Sequence, residues 1–399
     1  MLNLTKNQEA MLSLLSYELF RLPLREEVTA ADWPAVLEEG NRQAVTALLY
    51  PGMKKLRGIP EEARSRGRQA ALASAKSFEG ILRRQGEIIR LLQSRGIPCA
   101  VLKGTSAACR YPDPMLRVPG DIDILVGSEK LQFACDALSG AGYVHTHTTA
   151  LHACFQKDGV DVELHRAVSS FPEGEKGAFT REFMDGALGH PASARIGETE
   201  FPVLSGVYQL IALLSHMERH LCDAGIGLRQ VCDWAAAVNA MGSQITAREL
   251  GILEQCGLLR FGKVMTKLCE TYLGLPPFDW AAEAEDRAVD GLMEDILEGG
   301  NFHAAERPAP FSRGVLTDVY AGSGKRSLLR SYFGYIRRRA AIECPWAKGK
   351  IWVLLFGVFY PARFFLRVLL GRRKKISLPT VCRSAVQRET LLREMKLYQ

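Results

Sequence analysis

Residues 97–126, IPCAVLKGTSAACRYPDPMLRVPGDIDILV, decide how this chain is read. At its end, Asp121-Ile122-Asp123 runs into Ile124-Leu125-Val126, an apolar strand signal. Residues two apart on a strand share a face, so Asp121 and Asp123 project together while Ile122 and Ile124 turn into packing. Two adjacent carboxylates repel unless a cation lies between them. Hard oxygen ligands at this spacing suit Mg²⁺, which takes one or two carboxylates together with substrate phosphates. Upstream, residues 98–102 (PCAVL) read as a short strand. It breaks at Lys103-Gly104-Thr105-Ser106 and leads into a helix start at residues 107–110. A strand, a small-residue turn and a helix N-terminus make an expected anion site, because backbone N–H groups and the helix dipole point the same way.

Gly104-Thr105 followed by Asp121-x-Asp123 on a strand resembles the nucleotidyltransferase superfamily that includes DNA polymerase β. The fuller string LKG, YPDP, LR and GDIDILV is similar to a group of bacterial nucleotidyltransferase-family proteins. The resemblance implies a third carboxylate on a later strand. Residues 159–165, GVDVELH, offer Asp161 and Glu163 on one face, and the acidic residue directly before Leu-His, Glu163, is the expected ligand. The core of the resemblance covers residues 97–168, with weaker matches to Trp234. Gly-Thr here replaces the usual Gly-Ser and keeps a hydroxyl, and Glu163 replaces the commoner Asp.

The resemblance implies an α+β fold, with a small mixed sheet embedded between larger helical regions. It implies Mg²⁺-dependent (alternatively Mn²⁺-dependent) transfer of a nucleoside monophosphate from a nucleoside triphosphate to a hydroxyl-bearing acceptor. Asp121, Asp123 and Glu163 would be the metal ligands and catalytic acids. Lys103, Gly104, Thr105, Ser106, Arg117 and Arg229 would contact the nucleotide. No aromatic RNA-reading motif is present, so a small molecule or protein acceptor ranks ahead of RNA. The competing reading is a catalytically silent module of the same fold, used for nucleotide sensing or as a membrane-associated scaffold.

Four regions are expected: helical residues 1–95, a catalytic core over 96–190, a helical nucleotide- or acceptor-binding region over 191–300, and a basic region over 301–399. In the first, apolar residues at helical spacing fall near 11–20, a second helix starts near Thr29, another at Pro60, and a long amphipathic helix covers 70–95. Its arginines Arg83, Arg84, Arg90 and Arg95 read as a solvated face in preference to a phosphate-lined cleft. Residues 131–140 read as a helix, and 143–155 as one or two strands carrying His145, His147 and His152. These lack a fourth ligand at zinc spacing and read as surface or substrate-contact histidines. Lys157-Asp158-Gly159 is a hairpin turn, and 169–202 reads as a loop-rich connector or lid. Residues 205–221 form a strong helix with His216 and His220 on one face. Glu218 falls in the wrong place for a HExxH protease. Arg229 and Asp233, also four apart, allow two readings: a layer closing over the nucleotide, or an intrahelical ion pair beside packed histidines.

At 399 residues the chain accommodates two or three domains. A net charge of +7 permits a nucleotide, nucleic-acid or membrane partner and selects none. The ten cysteines include no CxxC pair and read as reduced, cytosolic thiols. The N-terminus does not read as a signal peptide, so the expected location is cytoplasmic. Residues 298–314 read as a linker. Beyond them, the apolar run 351–362 is short for a membrane span. With its basic flanks, the segment 345–376 suits either peripheral contact with an anionic membrane or burial against the protein's own body.

Overall fold

A computed structural model describes residues 2–24, 26–171, 174–223, 225–300 and 395. The expected linker over 298–314 lies almost wholly outside the described residues, and the apolar run 351–362 and the segment 345–376 lie entirely outside them.

Seven strands form one mixed sheet: β1 (Ala100–Val101), β2 (Ile122–Leu125), β3 (Val144–Thr148), β4 (His152–Lys157), β5 (Val160–His165), β6 (Pro191–Ile196) and β7 (Thr199–Leu204). Their spatial order is β3-β4-β5-β2-β1-β7-β6. Twelve helices are described around it. Those before the sheet are α1 (Lys6–Phe20), α2 (Trp33–Arg42), α3 (Thr46–Lys55) and α4 (Glu61–Ser94). Within it come α5 (Thr105–Ala108), α6 (Leu131–Gly140) and α7 (Glu175–Asp185). After it follow α8 (Gly206–Asp223), α9 (Leu228–Met241), α10 (Ala247–Gln255), α11 (Leu259–Leu273) and α12 (Asp286–Gly299). The α+β architecture matches the sequence expectation.

The two faces of the sheet are chemically different, as the alternation of β2 and β5 requires. Ile122, Ile124, Val162 and Leu164 pack in one apolar core with Phe78, Ile81, Leu82, Ile88 and Ile89 of α4 and with Ala134, Ala137 and Leu138 of α6. The opposite face carries Asp123, Glu163 and His165. Parallel pairing of β2 with β5 sets Asp123 directly beside Glu163, and Ile122 beside Val162. Antiparallel pairing of β4 with β5 sets Cys154 opposite Glu163, and His152 opposite His165.

Two expectations are revised. The helices expected from Pro60 and over 70–95 are one continuous helix, α4, of 34 residues and about 50 Å. Its first half offers small buried residues, Ala63, Gly67 and Ala71, to the N-terminal helices. A Cβ at Gly67 would stand 3.0 Å from Met53 Sδ, so glycine permits this close approach. Its second half presents Phe78 through Leu92 to the sheet. One helix thus joins both cores. Each large apolar side chain it buries contributes about 1.5–3 kcal/mol, more than the cost of a few internal glycines at about 1 kcal/mol each. The stretch expected as a loop, 169–202, holds α7, β6 and most of β7. The β6–β7 hairpin extends the sheet past residue 190, with Val101 paired in parallel to Val203. Pro191 opens the edge strand β6 and Gly197 sits in the β6–β7 turn, where such residues are tolerated.

The helices on the site side are tied together by polar groups of α2 and its C-cap. Gln43 accepts from the Leu228 N–H at 2.9 Å and donates to the Ile296 carbonyl at 3.0 Å. Arg42 donates to the carbonyls of Leu297 and Glu298, capping the end of α12. Among the described residues, no helix is long and apolar enough to cross a membrane.

Candidate functional site

The site lies where the polar face of β2 and β5 meets α8 and α9. Asp123 is buried at 1% side-chain exposure, whereas Asp121, just before the strand, is 39% exposed. Carboxylate oxygens of Asp121, Asp123 and Glu163 all lie within 4.8 Å of one another. The Lys103 ammonium sits among them, 3.0 Å from Asp123 Oδ1 and 3.9 Å from Asp121 Oδ2. Lys103 reaches this place because Gly104 turns the chain at φ +67° and ψ −109°, a conformation that favours glycine. His165 completes the cluster, its Nε2 lying 2.9 Å from Asp123 Oδ1 and 3.1 Å from Glu163 Oε2. The second Asp123 oxygen, Oδ2, is buried without a hydrogen-bond partner in the protein.

The electrostatics follow from this crowding. Burial pushes the Asp123 carboxyl up, but Lys103 and His165 outweigh it and hold the group well below the usual carboxylate range. Asp121 moves the other way, up to about 6, chiefly because the Asp123 charge stands beside it and secondarily through burial. Two carboxylates driven apart in this manner share a space that favours a cation. The ammonium of Lys103 is itself held charged: burial disfavours it, and Asp123, Asp121 and Glu163 more than compensate. Three carboxylates with converging oxygens, one of which also holds a buried oxygen without a partner, are the donor chemistry that a hard divalent ion takes.

The carboxylates open into a cavity of about 330 Å³, walled by β-sheet residues on one side and on the other by Leu213, His216, Arg219, His220 and Arg229 of α8 and α9. The His216 and His220 rings meet edge to face at 4.3 Å. Both stay neutral: burial holds His216 well below its ordinary value, and His220 is pushed down to about 3 by burial, aided by Arg219. The Arg229 guanidinium is lowered by burial and by its neighbour Arg117, and it donates to the Val118 carbonyl at 3.5 Å.

Other expected site residues are held in internal contacts, Arg117 among them although it lines the cavity. Arg117 is buried and engaged bidentately by Asp233, Nε to Oδ1 at 2.7 Å and Nη2 to Oδ2 at 2.8 Å, and the Tyr111 hydroxyl donates to the same Oδ1 at 2.8 Å. Asp233 therefore serves a network that pins the Tyr111–Arg117 loop to α9. Thr105 is buried and donates its hydroxyl to Gln85 Oε1 at 2.6 Å. Ser106 is also buried, and its oxygen accepts from Gln209 at 3.5 Å. Neither hydroxyl lines the cavity, and α5 is a four-residue turn. Asp161 shares a face with Glu163 but lies near the exposed start of β5, where Gln156 donates to it at 2.9 Å.

The histidines divide. His145 and His147 lie on the exposed strand β3, while His152 turns to the site, its Nε2 3.6 Å from Glu163 Oε1. Arg84 pairs with Glu87 and Asp158 on the outside of α4, in keeping with a solvated face. Sequence reasoning missed His165 and Arg219. The alternation that places Glu163 on the polar face also places His165 there, so that signal was present. Arg219 carried none, since a lone arginine on an amphipathic helix is ordinarily solvated.

A family model described as "Uncharacterised nucleotidyltransferase" matches residues 29–274, and the chain belongs to that family. No curated protein and no solved structure matches it.

Proposed function

We propose that this member of an uncharacterised nucleotidyltransferase family transfers a nucleoside monophosphate from a nucleoside triphosphate to a hydroxyl-bearing small-molecule or protein acceptor, releasing pyrophosphate. The observation that carries the reading is the convergence of Asp121, Asp123 and Glu163 at the mouth of a cavity whose far wall is cationic. In this reading Asp121, Asp123 and Glu163 hold Mg²⁺ or Mn²⁺, with the unpartnered Asp123 Oδ2 as one ligand atom. The ion supplies Lewis-acid stabilisation and orientation of the phosphoryl group when bound. Lys103 neutralises charge that develops on phosphoryl oxygens, its Nζ already fixed against Asp123. Arg219 and Arg229 face the triphosphate from the helical wall. His216 and His220, held neutral, present hydrogen-bonding groups and ring faces beside Leu213 and Met217, a surface suited to a base or an acceptor. Arg117 acts through position, holding its loop to α9.

The test is label transfer from each α-labelled nucleoside triphosphate with Mg²⁺ or Mn²⁺, in a matched cell extract, comparing wild type with Asp121→Asn and Asp123→Asn. A discrete labelled product formed only by wild type supports the reading. Metal-dependent nucleotide binding without transfer in any extract favours the silent, sensing use of the same fold. Absence of both refutes the nucleotide reading altogether.

A further inference from the structure

We propose that His152, Glu163 and His165 form a second cation site, one that takes a first-row transition-metal dication such as Mn²⁺ or Zn²⁺ in preference to Mg²⁺. One ligand atom from each of the three residues lies within 4.8 Å of the others. His165 Nε2 is 3.1 Å from Glu163 Oε2, and His152 Nε2 is 3.6 Å from Glu163 Oε1. Metal–nitrogen and metal–oxygen bonds of about 2.0–2.2 Å at tetrahedral or octahedral angles separate neighbouring ligand atoms by about 3.0–3.5 Å. The two histidine–carboxylate spacings of 3.1 and 3.6 Å lie in or close to that range, and the full set of donors lies within 4.8 Å. The two rings are tilted at 51° to each other, centroids 4.9 Å apart, and both turn Nε2 toward the same carboxylate.

The fold builds this arrangement. His152 stands opposite His165 in the β4–β5 pairing, and Glu163 lies two residues before His165 on the same strand face. The donors are therefore fixed by sheet register, on rigid elements, and not by a loop. Imidazole nitrogen distinguishes the site from the adjacent all-oxygen group: it suits Zn²⁺ and the later first-row dications, with Mn²⁺ binding the same donors more weakly, whereas Mg²⁺ keeps to oxygen. Two histidines and one carboxylate also leave coordination positions open. Those positions face the cavity, because His152 and Glu163 both line it, so a ligand oxygen or water can complete the shell. Arg219 acts electrostatically on His152, and Lys103 on His165. The carboxylates of Glu163, Asp123 and Asp121 offset them.

This inference does not depend on nucleotidyl transfer, and its test reads metal coordination directly. The full-length protein is titrated with Mn²⁺ alone and the bound ion is examined by pulsed EPR for coupling to imidazole ¹⁴N. Two coupled nitrogens are expected in wild type. His152→Gln should retain at most one and weaken Mn²⁺ binding at this site at least tenfold, while Asp121→Asn should retain both. Circular dichroism of each variant verifies that it is folded. The proposal is overturned if wild type shows one nitrogen, which places the ion in the oxygen group with His165 alone, or none. It is equally overturned if two nitrogens persist in His152→Gln or are lost in Asp121→Asn. A positive result without any label transfer would keep the metal site and remove the transferase reading.

Discussion

Replacing Asp233 by Leu tests whether the Arg117 network is structural. Asp233 receives three hydrogen bonds of 2.7–2.8 Å, two from Arg117 and one from Tyr111. Side-chain exposures of 6% for Arg117 and 8% for Asp233 mean that water screens little of the interaction. Truncating one partner of such a pair leaves an uncompensated buried charge, which costs about 3–5 kcal/mol. Arg229 pushes the expectation toward the upper end, because Asp233 offsets part of its repulsion with Arg117. At roughly 2 °C per kcal/mol for a chain of this size, the apparent Tm should fall by about 6–10 °C. The assay is thermal unfolding followed by circular dichroism, at fixed protein concentration and without nucleotide. The double variant Arg117→Met/Asp233→Leu should recover most of the loss, since an apolar pair of similar volume replaces a buried ion pair at little cost. A single variant that loses less than about 1 kcal/mol, or a double variant no more stable than the single, would refute the reasoning. The first outcome would mean that the pair is solvated. The second would mean that the packing around α9, not the charge, sets the cost.

Three further outcomes are expected. A divalent ion at a hundred times its dissociation constant should stabilise wild type by about 2.7 kcal/mol and leave Asp123→Asn, measured by the same thermal scans, without that gain. Gly104→Ala should cost about 1–3 kcal/mol in denaturant unfolding, because its φ of +67° with ψ −109° is strained for alanine although a Cβ there would meet only the Asp121 carbonyl oxygen, at an ordinary 3.7 Å; retention of full stability would show that the turn relaxes. Burial, aided by Arg219, holds His220 neutral in the folded state down to about 3, whereas the unfolded chain protonates it near 6.5. The unfolded state then binds more protons between these values, so this residue's contribution to stability is fully present above pH 6.5 and is lost as pH falls toward 3. His220→Gln should flatten that part of the stability–pH curve relative to wild type, and parallel curves for the two proteins would contradict the burial argument.

Much of the architecture was legible because its signals are local. The apolar spacing of α8 and the alternation of Asp121, Ile122, Asp123 and Ile124 report periods of 3.6 and 2 along one segment. The same local signals misread residues 169–202. There Gly186 and Gly197 mark turns, but they do not reveal that the residues around them pair as β6 and β7 at the edge of the sheet. They also divided α4 between residues 60 and 70, where Gly67 weakens a helix in isolation and the tertiary packing that offsets it is invisible in sequence.

At the site, the sequence by itself determined that two aspartates share a strand face, that Gly104 precedes them at a turn, and that acids and a histidine alternate over 161–165. Alternation follows from backbone geometry and needs no partner. Only the tertiary structure decided that Asp123 lies beside Glu163, that His152 meets His165, that Arg117 is held by Asp233, and that Thr105 and Ser106 turn into the core. These are pairings between distant segments. Strand register and the burial of each polar group are set jointly by all the apolar faces that must be covered at once, and no local pattern contains that sum.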